Sequence, residues 1–216
     1  FLSISPLERQ YINQALDAGR LSAGPLMEQF ESQFAARHDC KHGIMLNSGT
    51  SALQVALAVL KEFGTWAEGD EVLVPASTFI ATSNVVIHNN LTPVFVDIES
   101  DTYNIDPLQI EKHLTQRTRA IIPVHMYGQP CDMDRINAIA ERHNLKIVED
   151  SCECMFARFK GRSVGSLSHM GCFSTYVAHI LTTGVGGLIT TNDDDYAVAC
   201  RSYLAHGRDS IYLRID

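Results

Sequence analysis

The chain has 216 residues, 45% of them apolar, and a formal net charge of −8. That is enough to bury the core of one generous domain, and an acidic chain without any basic run excludes nucleic acid or an anionic membrane as the main partner. No run of about 18 apolar residues marks a transmembrane helix, and no basic-then-apolar leader opens the chain, so the expectation is a cytoplasmic protein acting on a small molecule or a protein.

Two amphipathic stretches, Pro6 to Ala18 and Pro25 to Arg37, are joined by the turn Gly19 to Gly24 and predict a helical lead-in over residues 1–40. From residue 41 onward, short apolar runs alternate with helical patterns. The run Gly43 to Leu46 precedes a helix from Ser51 to Phe63. The run Glu71 to Val74 precedes a helix near Ile80 to His88, and Pro93 to Asp97 precedes a helix starting at Pro107. Arg119 to Val124 is followed by a helix from Met133 to His143, and then by the run Lys146 to Asp150. Two further runs, Met170 to Ser174 and Gly187 to Thr191, lead into a last helix from Asp193 to His206. Buried strands alternating with helices predict a mostly parallel sheet covered on both faces, a three-layer α/β/α domain over 41–216. Ligands of such folds gather at the carboxyl ends of the strands. The chain starts at Phe1 and stops at Asp216 without a closing turn or cap, and so reads as a piece of a longer protein.

Six cysteines, at 40, 131, 152, 154, 172 and 200, lie in or beside apolar runs, which predicts buried reduced thiols. Cys152-x-Cys154 could ligate a metal, but no second pair accompanies it, and no metal is expected.

Four strand ends carry residues with chemistry. Leu46-Asn-Ser-Gly-Thr-Ser-Ala52 runs from a strand through one glycine into a helix, where free backbone N–H groups and the hydroxyls of Ser48, Thr50 and Ser51 can cradle a phosphate; they can equally be ordinary N-caps. It is neither a Walker loop nor a dinucleotide fingerprint. Val148-Glu-Asp150 ends on carboxylates that either hold a cationic ring nitrogen or cap the next loop. Phe79 either stacks on a planar ligand or packs in the core. Pro123-Val-His-Met-Tyr-Gly128 brings His125 and Tyr127 to a fourth end. Together with His179 in the segment Phe173 to Gly187, these features converge on one pocket.

The ordered set Asn47-Ser-Gly-Thr-Ser-Ala-Leu53, Gly69-Asp-Glu-Val-Leu-Val-Pro75 with Thr78-Phe79, Pro93 to Asp97, Pro123 to Gln129, Glu149-Asp150, Lys160 to Gly165 and Gly171 to Ser174 closely resembles the DegT/StrS family of PLP-dependent sugar aminotransferases. The resemblance implies the aspartate aminotransferase fold, with a seven-stranded sheet in a large PLP-binding domain and a smaller C-terminal domain mostly lacking here. It implies that Gly49, Thr50 and Ser174, with Ser48 and Ser51 alongside, bind the cofactor phosphate. Phe79 matches the aromatic residue stacked on the pyridine ring, and Asp150 the carboxylate that keeps the ring nitrogen protonated. Glu153 stands where relatives often have Gln, near the ring hydroxyl. Members are usually homodimers with the site at the interface.

The family pattern Phe-Ser-x-Tyr-Pro-x-Lys-x-Leu-x-x-Gly-Glu-Gly-Gly aligns without a gap and puts His179 on the lysine that forms the Schiff base with PLP. Val177 and Val185 replace the usual proline and glutamate. An imidazole cannot condense with an aldehyde, so the resemblance implies pyridoxal 5′-phosphate or pyridoxamine 5′-phosphate (PMP) held without a covalent link, while histidine stays competent as an acid or base near neutrality. The pair Ala178-His179 resembles the family's nucleotide-sugar 3-dehydratases, in which the histidine removes a proton from the cofactor's methylene and the sugar's C3 hydroxyl leaves. Glu153 or His125 would assist the proton traffic. This implies a keto-deoxy nucleotide sugar as substrate, in deoxysugar or surface-polysaccharide biosynthesis, with L-glutamate as amino donor. Two alternatives stay open: a homologue of altered or lost activity that binds or regulates, and an aminotransferase whose lysine was changed deliberately.

Overall fold

The computed structural model describes residues 3–19 and 22–208. Helices α1 (Pro6–Asp17) and α2 (Pro25–Arg37) come first; residues 20 and 21 of the expected turn between them, and the expected chain end at 215–216, lie outside the described residues. They are followed by β1 (His42–Leu46), α3 (Gly49–Phe63), β2 (Glu71–Pro75), α4 (Ala81–His88) and β3 (Thr92–Val96). Next come α5 (Pro107–Ile110) with a 3-10 turn at Glu111–His113, β4 (Thr118–Ile121), α6 (Met133–His143) and β5 (Lys146–Asp150). A hairpin of β6 (Arg158–Phe159) and β7 (Arg162–Ser163), then β8 (Met170–Ser174), β9 (Gly187–Thr191) and α7 (Asp194–Leu204), complete the described chain.

The seven apolar runs form one sheet in the order β1-β9-β8-β5-β4-β2-β3, in which only β9 runs antiparallel to its neighbours. Alternate side chains feed opposite layers. Val72, Val74, Ala120, Ile122, Val148, Cys172 and Ile189 join the core beneath α3, α4 and α7. Leu73, Ile121, Ile147, Phe173 and Leu188 join a second core with residues of α2, α5 and α6. This is the expected three-layer arrangement.

The differences from expectation have local causes. The helix at Pro107 lasts one turn before tightening into 3-10 geometry. The fourth strand stops at Ile121 because Pro123 has no N–H for the ladder; only a bridge between Val124 and Asp150 continues it. The β6–β7 hairpin turns through Lys160 and Gly161, both at positive φ (50° and 85°), as a tight primed turn requires.

Helix α1 starts at a capping box between Ser5 and Glu8 and buries none of its residues. Helix α2 is built into the sheet edge. Its buried Glu31 accepts the Met45 N–H at 2.6 Å and pairs with Arg201 of α7 at 2.9 Å. One carboxylate thereby ties β1 to a helix on each side of the sheet.

Candidate functional site

The carboxyl ends of β1, β2, β5 and β8 open onto one cavity of about 420 Å³, to which Val124 and Met126, beyond β4, also contribute. Ser48 caps α3, its hydroxyl accepting the Ser51 N–H at 3.0 Å. The N–H groups of Gly49 and Thr50, in the first helical turn, have no intrahelical acceptor and face an anion-favouring helix end. Ser48, Gly49 and Thr50 line the cavity, whereas Ser51 stands behind them with its hydroxyl 3.0 Å from that of Ser48. The capping reading therefore holds, and the capping serine is also a wall of the cavity. Close packing fixes the turn: a Cβ added to Gly49 would come within 2.8 Å of the Ser174 Cβ.

Phe79 is 72% exposed at the cavity mouth, which excludes the core reading for its ring. Ser174 ends β8 at the cavity wall, and its hydroxyl accepts the Tyr176 N–H at 3.3 Å. Glu153 lines the cavity and accepts the N–H of Tyr127 at 3.1 Å, holding that residue in the left-handed region.

Asp150, at the end of β5, is 5% exposed. Its Oδ2 accepts the Thr82 hydroxyl at 2.9 Å, and its Oδ1 the Cys152 N–H at 3.3 Å. Burial, the largest influence, pushes its carboxyl above the usual carboxylate range, with hydrogen bonds from Cys152 and Thr82 pulling the other way. None of the ion pairs among the described residues includes it. Glu149, one residue earlier, points to the opposite face. It accepts Gly165 N–H (2.7 Å), Leu167 N–H (2.9 Å), the Ser168 hydroxyl (3.0 Å) and His125 Nε2 (3.0 Å).

His179 sits in the connection between β8 and β9. That loop is cinched at its base by Thr175 N–H to the Gly186 carbonyl (2.9 Å) and Thr183 N–H to the Thr175 carbonyl (3.0 Å). The imidazole is half-buried, lines the cavity and has no hydrogen-bond partner among the described residues. His125, the other histidine considered, does not reach the cavity. It is fully buried, and because the Cys131 N–H occupies Nδ1 at 3.0 Å, its ring proton sits on Nε2 and is donated to Glu149. With both nitrogens engaged, His125 buttresses the wall and has no route for a proton into the cavity.

Sequence reasoning missed Thr82, raised Cys152 only as half of a metal pair, and gave Met126 no role within the Pro123–Gly128 stretch. Thr82 lies four residues after Thr78, but Thr78 precedes α4, so helical spacing gave no signal that the two hydroxyls meet at 2.9 Å. Cys152 lines the cavity while Cys154 belongs to the second core, so the two thiols do not form a chelating pair. Burial, then the nearby Asp150, pushes the Cys152 thiol well above its ordinary range.

Residues 3–213 match the model of the DegT/DnrJ/EryC1/StrS aminotransferase family. GDP-perosamine synthase of Caulobacter vibrioides is 43% identical over 203 residues, 94% of this chain and 54% of that protein. The aminotransferase from Psychrobacter cryohalolentis superposes with a TM-score of 0.92 at 39% identity, covering 99% of this chain and 54% of that one. E. coli GDP-4-keto-6-deoxy-D-mannose-3-dehydratase with bound hydrated PLP gives a TM-score of 0.92 at 32% identity, covering 99% of this chain and 55% of that one. The chain thus spans about half the length of the relatives it matches.

The fold is that of the PLP-dependent aminotransferases, and the residues present fit such a cofactor. A helix N-terminus with free N–H groups suits a phosphate. A buried carboxylate without a cationic partner suits a protonated ring nitrogen, because burying a lone charge is otherwise unfavourable. Fold, cavity and sequence agree: the chain belongs to the DegT/DnrJ/EryC1/StrS aminotransferase family, whose enzymes work with pyridoxal phosphate on nucleotide sugars.

Proposed function

We propose that this chain is the cofactor-binding large domain of a PLP- or PMP-dependent 3-dehydratase-like enzyme acting on a nucleotide-linked 4-keto-6-deoxy sugar. One observation carries the reading: the unpartnered imidazole of His179 shares a cavity with Asp150 and the start of α3, and no lysine lines that cavity among the described residues.

In this reading Gly49, Thr50 and Ser174, with Ser48 and the capping Ser51, hold the phosphate through N–H and hydroxyl donors. Phe79 covers one face of the ring, Asp150 pairs with its nitrogen, and Glu153 stands beside its hydroxyl. The bound cofactor supplies an electron sink. His179 supplies the acid–base group, taking up a proton within the cavity and returning it as the sugar's C3 hydroxyl departs as water. Without an amine at position 179, the cofactor is held by hydrogen bonds and charge alone. L-glutamate would recharge it with an amino group. Phe79 and Tyr176, exposed at the cavity, support a shared site in a homodimer of the whole protein, which in this reading acts in the cytoplasm.

A second reading, an aminotransferase-like protein of altered or lost activity, is favoured by the higher identity to the perosamine synthase than to the dehydratase. The deciding experiment binds PLP or PMP, treats the PLP complex with borohydride and weighs the peptides, then supplies a GDP-linked 4-keto-6-deoxy sugar and L-glutamate. Non-covalent binding with loss of water is expected. Covalent reduction of PLP onto the peptide containing residue 179 would refute the reading, and binding without loss of water would favour the second one.

A further inference from the structure

We infer that Thr82, seconded by Thr78, is a positioning residue that keeps Asp150 ionised and aimed at the cofactor's ring nitrogen. The inference rests on the proposed cofactor site but turns on the Thr82 hydroxyl, which no motif singles out. Thr82 is fully buried on α4, yet its hydroxyl is 2.9 Å from Asp150 Oδ2 and 2.9 Å from the hydroxyl of Thr78, which itself lines the cavity.

The three groups form a chain whose direction depends on one proton. Ionised, Asp150 can only accept, so Thr82 donates to Oδ2 and its oxygen is free to accept from Thr78. Both hydroxyl protons then point inward, stabilising the charge, and Thr78 turns a lone pair to the cavity. Protonated on Oδ2, Asp150 donates instead, and the chain reverses.

A buried carboxylate needs such a donor because desolvation works against its charge. The other groups facing Asp150 supply little. Cys152 and Cys172 are thiols that burial keeps protonated, and His125 is held neutral by its two hydrogen bonds. Glu153 and His179 share the cavity. The Cys152 N–H reaches only Oδ1, at 3.3 Å. Of the described hydroxyl groups, Thr82 is the one that reaches the carboxylate.

The test uses Thr82→Val, which keeps the shape and deletes the donor, alongside Thr82→Ser, which restores it, and Thr78→Val, which removes only the outer hydroxyl. Two quantities are read: the titration of the Asp150 carboxyl in cofactor-free protein by isotope-edited infrared spectroscopy, with Asp150→Asn assigning the band, and PMP affinity by fluorescence. Losing a hydrogen bond to a charged group predicts an Asp150 titration about one pH unit higher and PMP binding about tenfold weaker in Thr82→Val. Thr82→Ser should lie near wild type, and Thr78→Val between the two. The carbocyclic analogue of PLP, with C–H in place of the ring nitrogen, should bind wild type and Thr82→Val alike. An unmoved Asp150 titration overturns the inference, whatever the cofactor does. Equal weakening toward PMP and the carbocyclic analogue also overturns it, since general damage to the cavity would then be the cause. If wild type binds neither PLP nor PMP, the proposed function fails and the inference falls with it. If Thr82→Val does not fold, the ordering of wild type, Thr82→Ser and Thr78→Val decides the matter.

Discussion

Gly187, the first residue of β9, offers a direct test of how rigidly the cavity floor is built. It pairs with Leu46 at the end of β1, and a Cβ added to it would overlap the carbonyl group of Ser48 and approach the Gly49 nitrogen to 2.6 Å. Non-bonded carbon contacts settle at about 3.5 Å, so a Gly187→Ala chain must move the Ser48–Gly49 peptide by about 1 Å. That peptide is clamped by the Ser48 cap, by the β1–β9 ladder and by Gly49 lying against Ser174. Because backbone rather than a side-chain tip must yield, the penalty belongs at the upper end for overpacking, about 3 kcal/mol. For a chain of this size that is a fall in Tm of about 6–12 °C, measured by calorimetry. PLP affinity should fall with it, since the displaced groups form the anion cradle. Gly184→Ala is the comparison: Gly184 has φ 84° but no atom within 4 Å of the added Cβ. Backbone strain alone predicts a loss of about 1 kcal/mol there, with PLP binding intact. A Gly187→Ala protein that melts and binds PLP like wild type would refute the argument from a rigid floor.

Other outcomes follow from features remote from the cofactor. Glu31→Ala removes the acceptor for Met45 N–H and leaves Arg201 with the Gly43 carbonyl but no carboxylate, and should destabilise the protein by about 2 kcal/mol in urea unfolding, with Glu31→Gln losing less. His169, half-buried beside the Lys146 ammonium, has its imidazole pushed down from 6.5 to about 4, mainly by desolvation and then by that charge. Its neutral form is the folded one, so the stability it contributes is complete above pH 6.5 and is lost as the pH falls toward 4. Tm measured across that range should show the loss, and His169→Gln should flatten it. Cys152 faces the cavity yet keeps its proton, so iodoacetamide should label it more slowly at pH about 8 than an ordinary thiol, and faster as the pH is raised. Rapid labelling at that pH would contradict a desolvated thiol beside Asp150.

The strands were legible because a sheet buried on both faces leaves near-continuous apolar runs, and all seven runs became its strands. The β6–β7 hairpin was not, since strands of two residues carry no periodicity and only Lys160-Gly161 marks the turn. Strand order was equally hidden: nothing near residue 44 or 189 states that β1 and β9 pair. Around the cavity, Ser48, Gly49 and Asp150 were legible because each ends a strand with a residue ill-suited to packing, whereas Phe79 and His179 stood out through the family pattern. Thr82 was not legible, because a threonine on an apolar helix reads as core until a carboxylate 68 positions away comes to rest on it.

The pairing of the first strand with the last also imposes a schedule on synthesis. Leu46 meets Gly187 across 141 positions, so a growing chain that has emerged only as far as β8 holds β1 and α3 without the neighbour that separates β1 from the rest of the sheet. Such distant closures come late in folding and leave an unpaired edge exposed meanwhile. The turn that begins α3 is among the earliest parts of this chain to be made, and among the last to find its final place.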